Sequence, residues 1–222
     1  VRLPLFIPVI VLFLWPGSLR LAYSAEPADT RILEDFSSNH VNQFPSDFKT
    51  SPFHKSKAKK VYSVQEESGN LYLRASDKGE TGIPLIRRLS WDVNQWPHFS
   101  WRWRARMLPE KAELQDTACA VYVVFGGTHG NTLKYVWSTT LPAGTVDEQK
   151  AGKFFVIVRE SGQKRVGLWT TVDEDLKADY KKYFKKNPDK VADGFAVLTD
   201  GDDTHSPSAC DYDDFKISAV PD

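Results

Sequence analysis

Three guanidinium side chains recur at every second residue in one short stretch: Arg102, Arg104 and Arg106. In an extended chain that spacing places them on one face with Ser100, and sends Phe99, Trp101, Trp103 and Ala105 to the other. A row of planar donors suits carboxylates or sugar hydroxyls. Trp137 and Trp169 can supply aromatic platforms beside such a row, because indole offers a flat apolar face and a polar edge. These five residues form the candidate ligand-binding set, to which a neighbouring strand can add Arg87 or Arg88. The alternative is plainer: each arginine meets an acid on an adjacent strand, and the face merely solubilises a sheet.

The second candidate is acidic. Between Asp200 and Asp214 stand six aspartates (200, 202, 203, 211, 213 and 214) and no lysine or arginine. Calcium takes oxygen ligands from closely spaced carboxylates and loop carbonyls, so Asp200, Asp202 and Asp203 are the candidate metal ligands. The spacing does not follow the EF-hand loop. The alternatives are a solvated turn, where Asp and Gly serve turn geometry, or pairing of these acids with arginines inside the fold. His205 beside Asp202 and Asp203 can form an acid–base pair, and a glycosidase needs only two well-placed carboxyl groups. Other enzyme signatures are missing. There is no Gly-x-Ser-x-Gly elbow and no His-Glu-x-x-His, and the five histidines lack zinc spacing. The Gly126–Gly130 turn joins two strands and lacks the helix that a phosphate loop needs.

The elements that would hold these groups read mostly as strands. Arg31–Phe36 is a first strand. Ser37–Lys60 reads as a long loop carrying five lysines, either a solvated face or an anion- or surface-binding patch. Val61–Glu66 and Leu71–Ala75 flank Ser68-Gly69-Asn70, a hairpin signal. Further strands are expected at 83–93, 99–106, 117–125, 133–139, 153–159, 166–170, 194–199 and 210–218. The run 117–125 is apolar on both faces, as suits the middle of a two-layer sandwich. One helix interrupts the strands. Asp173 is its expected cap, Leu176, Tyr180, Tyr183 and Phe184 make its apolar stripe, and Pro188 stops it.

The chain has 222 residues, 41% hydrophobic, enough for one large core. Residues 1–25 pattern as a secretory signal peptide: Arg2, an apolar run from Leu3 to Trp15, then Ala22-Tyr23-Ser24-Ala25. An uncleaved anchor is the alternative, although the run is short for a membrane span. Residues 26–30 read as a polar leader and 31–219 as a single domain. Without Arg2 and Arg20 the chain carries 27 basic and 29 acidic residues, which offers no electrostatic case for nucleic acid. Export, periplasmic or secreted, makes a disulfide between Cys119 and Cys210 the favoured reading of the two cysteines; two buried thiols is the other.

Taken in order, LSWDV (89–93), FSWRWRARMLP (99–109), CAVYVVF (119–125), LKYVW (133–137), DLKADYKKYF (175–184), AVLTDGDDT (196–204) and CDYDDFKI (210–217) resemble a bacterial family known as domain of unknown function number 3047. The resemblance spans roughly residues 31–219 and brings no activity or catalytic residues with it. A fold-level analogy adds a little. Chains that open on an acidic-aromatic strand like Glu34-Asp35-Phe36 and close on one like Tyr212–Ile217 are similar to galactose-binding-like and lectin-like jelly rolls, which often bind sugars and sometimes hold calcium.

The expectation is therefore an antiparallel β-sandwich or jelly roll with one packed helix. Its expected role is a non-catalytic module of the cell envelope that binds a carbohydrate or another polar ligand. A glycan-acting enzyme using paired carboxylates, or an envelope protein-interaction domain, are the alternatives.

Overall fold

The computed structural model describes residues 30–110, 112–127, 130–188 and 191–221. The signal peptide expected at 1–25 and most of the leader lie outside them, as do residues 128 and 129 of the glycine turn. Twelve strands and two helices are described: β1 (Thr30–Glu34), α1 (Lys55–Val61), β2 (Tyr62–Glu67), β3 (Asn70–Asp77), β4 (Leu85–Trp91), β5 (His98–Met107), β6 (Cys119–Phe125), β7 (Asn131–Ser138), β8 (Val146–Gln149), β9 (Phe154–Ser161), β10 (Thr170–Asp175), α2 (Leu176–Phe184), β11 (Ala192–Leu198) and β12 (Ser208–Ser218). They form a β-sandwich. One sheet has the order β10-β5-β12-β3-β2, with β1 also paired to β12; the other has the order β4-β11-β6-β7-β9-β8.

The alternation in β5 sorts its side chains as expected. Phe99, Trp101, Trp103 and Ala105 are completely buried between the sheets. Trp101 packs on Trp103 and Tyr135 at 5.5 Å each, and Phe99 meets Phe195 at 5.6 Å. Each large side chain so buried contributes about 1.5–3 kcal/mol, so this strand anchors the core. The sulfurs of Cys119 on β6 and Cys210 on β12 are bonded, joining one sheet to the other. The hairpin after β2 turns on Ser68 and Gly69, both at positive φ, the pairing that a two-residue type I′ turn requires.

Four expectations are corrected. The sheets are not wholly antiparallel: β7 and β9 run parallel, because β8 lies outside β9 as its hairpin partner and turns the chain back alongside β7. The loop 37–60 contains most of α1, preceded by a 3-10 turn at Pro52–His54. Only Ala58 and Val61 of α1 are buried, too few to print an apolar stripe in the sequence. Residues 166–169 lie outside any strand, and the strand there is Thr170–Asp175. That strand pairs with β5 as far as Asp175 opposite His98, which leaves Asp173 within the ladder. Asp175 caps α2 instead, its carboxylate accepting the Ala178 N–H at 2.9 Å. Lys185, left-handed at φ 58°, ends the helix.

Candidate functional site

The arginine row lies on the outer face of its sheet, where strand register sets its partners. Asp211 on β12 stands opposite Arg104 of β5 and Arg74 of β3, and Asp213 stands opposite Arg102. The Arg74 Nε and Nη2 atoms donate to the two oxygens of Asp211 at 2.7 and 3.0 Å. Arg104 Nε donates to Asp211 at 2.9 Å, and its Nη1 to Glu67 at 2.9 Å. Arg102 donates to Asp213 at 2.8 Å and pairs with Asp214 at 2.6 Å. Trp169 lies over this network, its ring centre 4.5 Å from the Arg104 guanidinium and 5.1 Å from that of Arg102. Tyr72 packs edge-on beside it. Arg102, Arg104 and Trp169 are thus brought together, but the donors of both arginines are directed at neighbouring carboxylates. Arg106 is exposed at the end of the strand. Trp137 is not part of this surface. It is fully buried on the core face of β7 against Trp103, and its indole N–H donates to the Gly162 carbonyl. Its alternation with Leu133 and Tyr135 already pointed inward, and the core, not a ligand, takes the ring.

The other sheet presents a hollow on its outer face. Val121, Val123 and Phe125 of β6 face the core, so Tyr122 and Val124 face outward. Register extends these into two rows across five strands: Arg88, Gly194, Val124, Thr132 and Phe154, then Ile86, Ala196, Tyr122, Lys134 and Val156. A third row, with Leu198, Ala120, Val136 and Val158, is closed over by Leu114 and Leu141. Gly194, Val124, Thr132 and Phe154 of the first row and Ile86, Ala196 and Tyr122 of the second line a trough of about 610 Å³, with Arg88, Lys150 and Asp193 supplying its charged groups. Tyr122 and Phe154 meet edge to face in it at 6.2 Å. Over β11 the trough is lined by Gly194 and Ala196, which carry almost no side chain. Gly194 is obligatory: at φ 141° a Cβ there would sit 2.3 Å from the Arg87 carbonyl oxygen.

The acidic turn adjoins one end of this trough. A Cβ on Gly82, which lines the trough, would lie 2.9 Å from an Asp202 carboxylate oxygen. Carboxylate oxygens of Asp200, Asp202 and Asp116 come within 4.8 Å of one another. Asp116 was not expected from the sequence, being some 84 residues before Asp200. Asp203 is exposed and joins only through its N–H, which donates to Asp116. The donor set fits calcium poorly. Both Asp116 oxygens already accept hydrogen bonds, Oδ1 from the Asp203 N–H and Oδ2 from the Thr204 N–H and hydroxyl. Asp200 Oδ1 accepts the Thr117 N–H at 2.7 Å. These carboxylates hold the turn together, and the Lys134 ammonium supplies positive charge to Asp200. A calcium ion takes six to eight oxygens, whereas three carboxylates converge here among the described residues, and it would gain little beside the buried Lys134 ammonium. Of the remaining turn acids, Asp211, Asp213 and Asp214 belong to the arginine network.

Burial pushes the Asp200 carboxyl up to about 6, against the opposing pull of Lys134 and the Thr117 N–H. A carboxyl raised on folding binds its proton more tightly in the folded chain. Its contribution is complete below the ordinary value near 3.8 and is lost as pH rises through about 6. The loss amounts to roughly 3 kcal/mol at about 1.4 kcal/mol per pH unit. Urea unfolding of Asp200→Asn should therefore fall less steeply than wild type between pH 4 and 7. Parallel curves for the two proteins would show that Asp200 does not titrate in this window.

None of the curated proteins compared matches the chain. Among solved structures, it is similar to a family 11 carbohydrate-binding module of a cellulosomal cellulase from Clostridium thermocellum, with 10% identity, 88% of this chain and 97% of that one covered, and a TM-score of 0.47. The family 11 module from the same organism in complex with a β-1,3-1,4-mixed-linked tetrasaccharide gives 11%, 88%, 98% and 0.43. A family 29 carbohydrate-binding module complexed with cellulohexaose gives 7%, 87%, 94% and 0.40. At such identities and scores the likeness says nothing about a ligand. The sequence model of one family, described as "Protein of unknown function (DUF3047)", matches residues 46–216.

Proposed function

Because the chain belongs to the DUF3047 family, a membership that brings no activity with it, its function has to be read from its own surface, and we propose a non-catalytic module that binds a carbohydrate chain along the trough of the β4-β11-β6-β7-β9 face. The observation that carries this is the pairing of Tyr122 and Phe154 over a floor of small residues, with Arg88, Lys150, Asp193 and Thr132 around it. Sugars present apolar C–H faces that lie on aromatic rings, and hydroxyls that meet charged and polar groups at the edge. A largely apolar hollow with a few convergent polar groups is the usual form of a small-molecule site. Export, expected from the pattern of residues 1–25, belongs to the same proposal. Among the described residues no helix is long and apolar enough to cross a membrane.

Affinity electrophoresis through gels containing soluble polysaccharides tests the reading. At least one polysaccharide should retard the protein. Tyr122→Ala and Phe154→Ala should each weaken that retardation about tenfold, equivalent to about 1.4 kcal/mol. Trp169→Ala, on the opposite sheet, should leave it unchanged. A protein that no polysaccharide retards, or one that only Trp169→Ala affects, removes the trough as the binding site.

One observation favours a second reading, hydrolysis of the bound glycan: the Asp202 carboxylate lies against Gly82 at the trough wall, with Asp200 beside it. New reducing ends on incubation, abolished by Asp202→Asn, would establish it.

A further inference from the structure

From Phe48 to Gln65 the chain carries five lysines (49, 55, 57, 59 and 60) and no acidic residue. The 3-10 turn and α1 give this stretch a shape. Ala58 and Val61 anchor the helix to the sandwich, and the four helical lysines and Lys49 are all exposed. Among the described residues none of the five makes an ion pair. At the tip of the 3-10 turn stands Phe53, 93% exposed, the most exposed of the large hydrophobic side chains described. Between the turn and the preceding loop lies a crevice of about 750 Å³, lined by Lys49, Lys55 and Lys59 together with Asn42 and Thr50.

We propose that this corner docks on an anionic lipid bilayer, with phosphate headgroups entering the lysine crevice and the Phe53 ring inserted at the interface. The two halves of the surface choose the partner together. A lysine cluster is attracted to any polyanion, and near an anionic leaflet each lysine adds to the attraction. An inorganic polyanion offers nothing to an exposed phenyl ring, whereas the headgroup–acyl boundary takes up an apolar side chain and leaves flanking ammonium groups in water. The surface lies on the loop and helix before β2, and it shares no lining residue with the trough. Glycan binding and bilayer docking are therefore separable.

The test is sedimentation of the full chain with vesicles of phosphatidylcholine alone and of phosphatidylcholine mixed with phosphatidylglycerol. The protein should bind the mixed vesicles at least tenfold more tightly, and added salt should release it. Phe53→Ser should weaken that binding several-fold and keep its salt dependence. Lys55→Glu with Lys57→Glu and Lys59→Glu should abolish the preference for anionic vesicles. All four side chains are exposed, so unchanged unfolding midpoints should accompany these losses, and comparison within one chain cancels any contribution from residues 1–25. Equal binding to both vesicle types overturns the proposal. So does inorganic polyphosphate binding that matches the anionic vesicles and is indifferent to Phe53→Ser; that result would make the corner a site for soluble polyanions.

Discussion

Asp211→Asn should destabilise the protein by about 3–5 kcal/mol, the usual cost of removing one partner from a buried ion pair. Asp211 is completely buried, and both of its oxygens are held by guanidinium groups: Arg74 on one side strand, Arg104 on the other. The change to Asn keeps the volume and removes the charge, so no cavity term enters. Arg74 is about a third exposed and can turn to water, but the Arg104 side chain is only 7% exposed and would remain as a desolvated cation. Glu67 would compensate it in part, since the Arg104 guanidinium already holds the Glu67 carboxyl below its ordinary range. Urea unfolding measures the difference. Arg106→Ala, on the same strand but exposed at its end, is the control and should change stability by no more than about 0.5 kcal/mol. A loss below about 1 kcal/mol for Asp211→Asn would mean that the network behaves as a set of solvated surface pairs.

Replacing both Cys119 and Cys210 with Ala should cost about 4 kcal/mol. The bond closes a loop of 91 residues between the two sheets, and the chain-entropy account assigns a loop near that length about 4–5 kcal/mol through the unfolded state. Both cysteines are fully buried and small, so Ala leaves little void. Wild-type protein unfolded in reductant should match the double variant, and the variant itself should ignore reductant. If reductant leaves the wild-type midpoint unchanged, the covalent link contributes nothing to stability.

Much of the framework was legible in the residues. The two-residue period around Trp101 and Trp103 reflects a strand with one dry face, and burial enforces that period because a one-residue slip would put indoles in water. The hairpin at Ser68-Gly69 was equally plain, since only a few residues tolerate two successive positive φ angles. α1 was not legible. Its helix is held by two small contacts, and its lysine-rich surface has no period to read. The cap of α2 was misplaced by two residues, because Asp173, Glu174 and Asp175 are chemically similar and only the ladder to β5 determines which of them lies outside the strand.

The candidate sites divide along the same line. From the residues alone one could read an arginine face, an acidic turn and an unusual store of aromatic rings, because residue type and strand period are local properties. Which acid meets which arginine was decided by the register of β12 between β5 and β3. That register bound Asp211 and Asp213 to the arginines, and the irregularity that follows Asp213 in the strand leaves Asp214 paired with Arg102 as well. The same tertiary pairing brought Asp116 to Asp200 from the far side of the sequence. Trp137 went to the core because its strand faces the other sheet there. The trough required β11, β6 and β9, with β7 between the last two, to bring together Gly194, Ala196, Tyr122 and Phe154, which stand 32 to 74 positions apart from one strand to another. A strand's own sequence determines which residues share a face; only the alignment of that face with its neighbours, fixed by backbone hydrogen bonds across the whole sheet, determines what the face can bind.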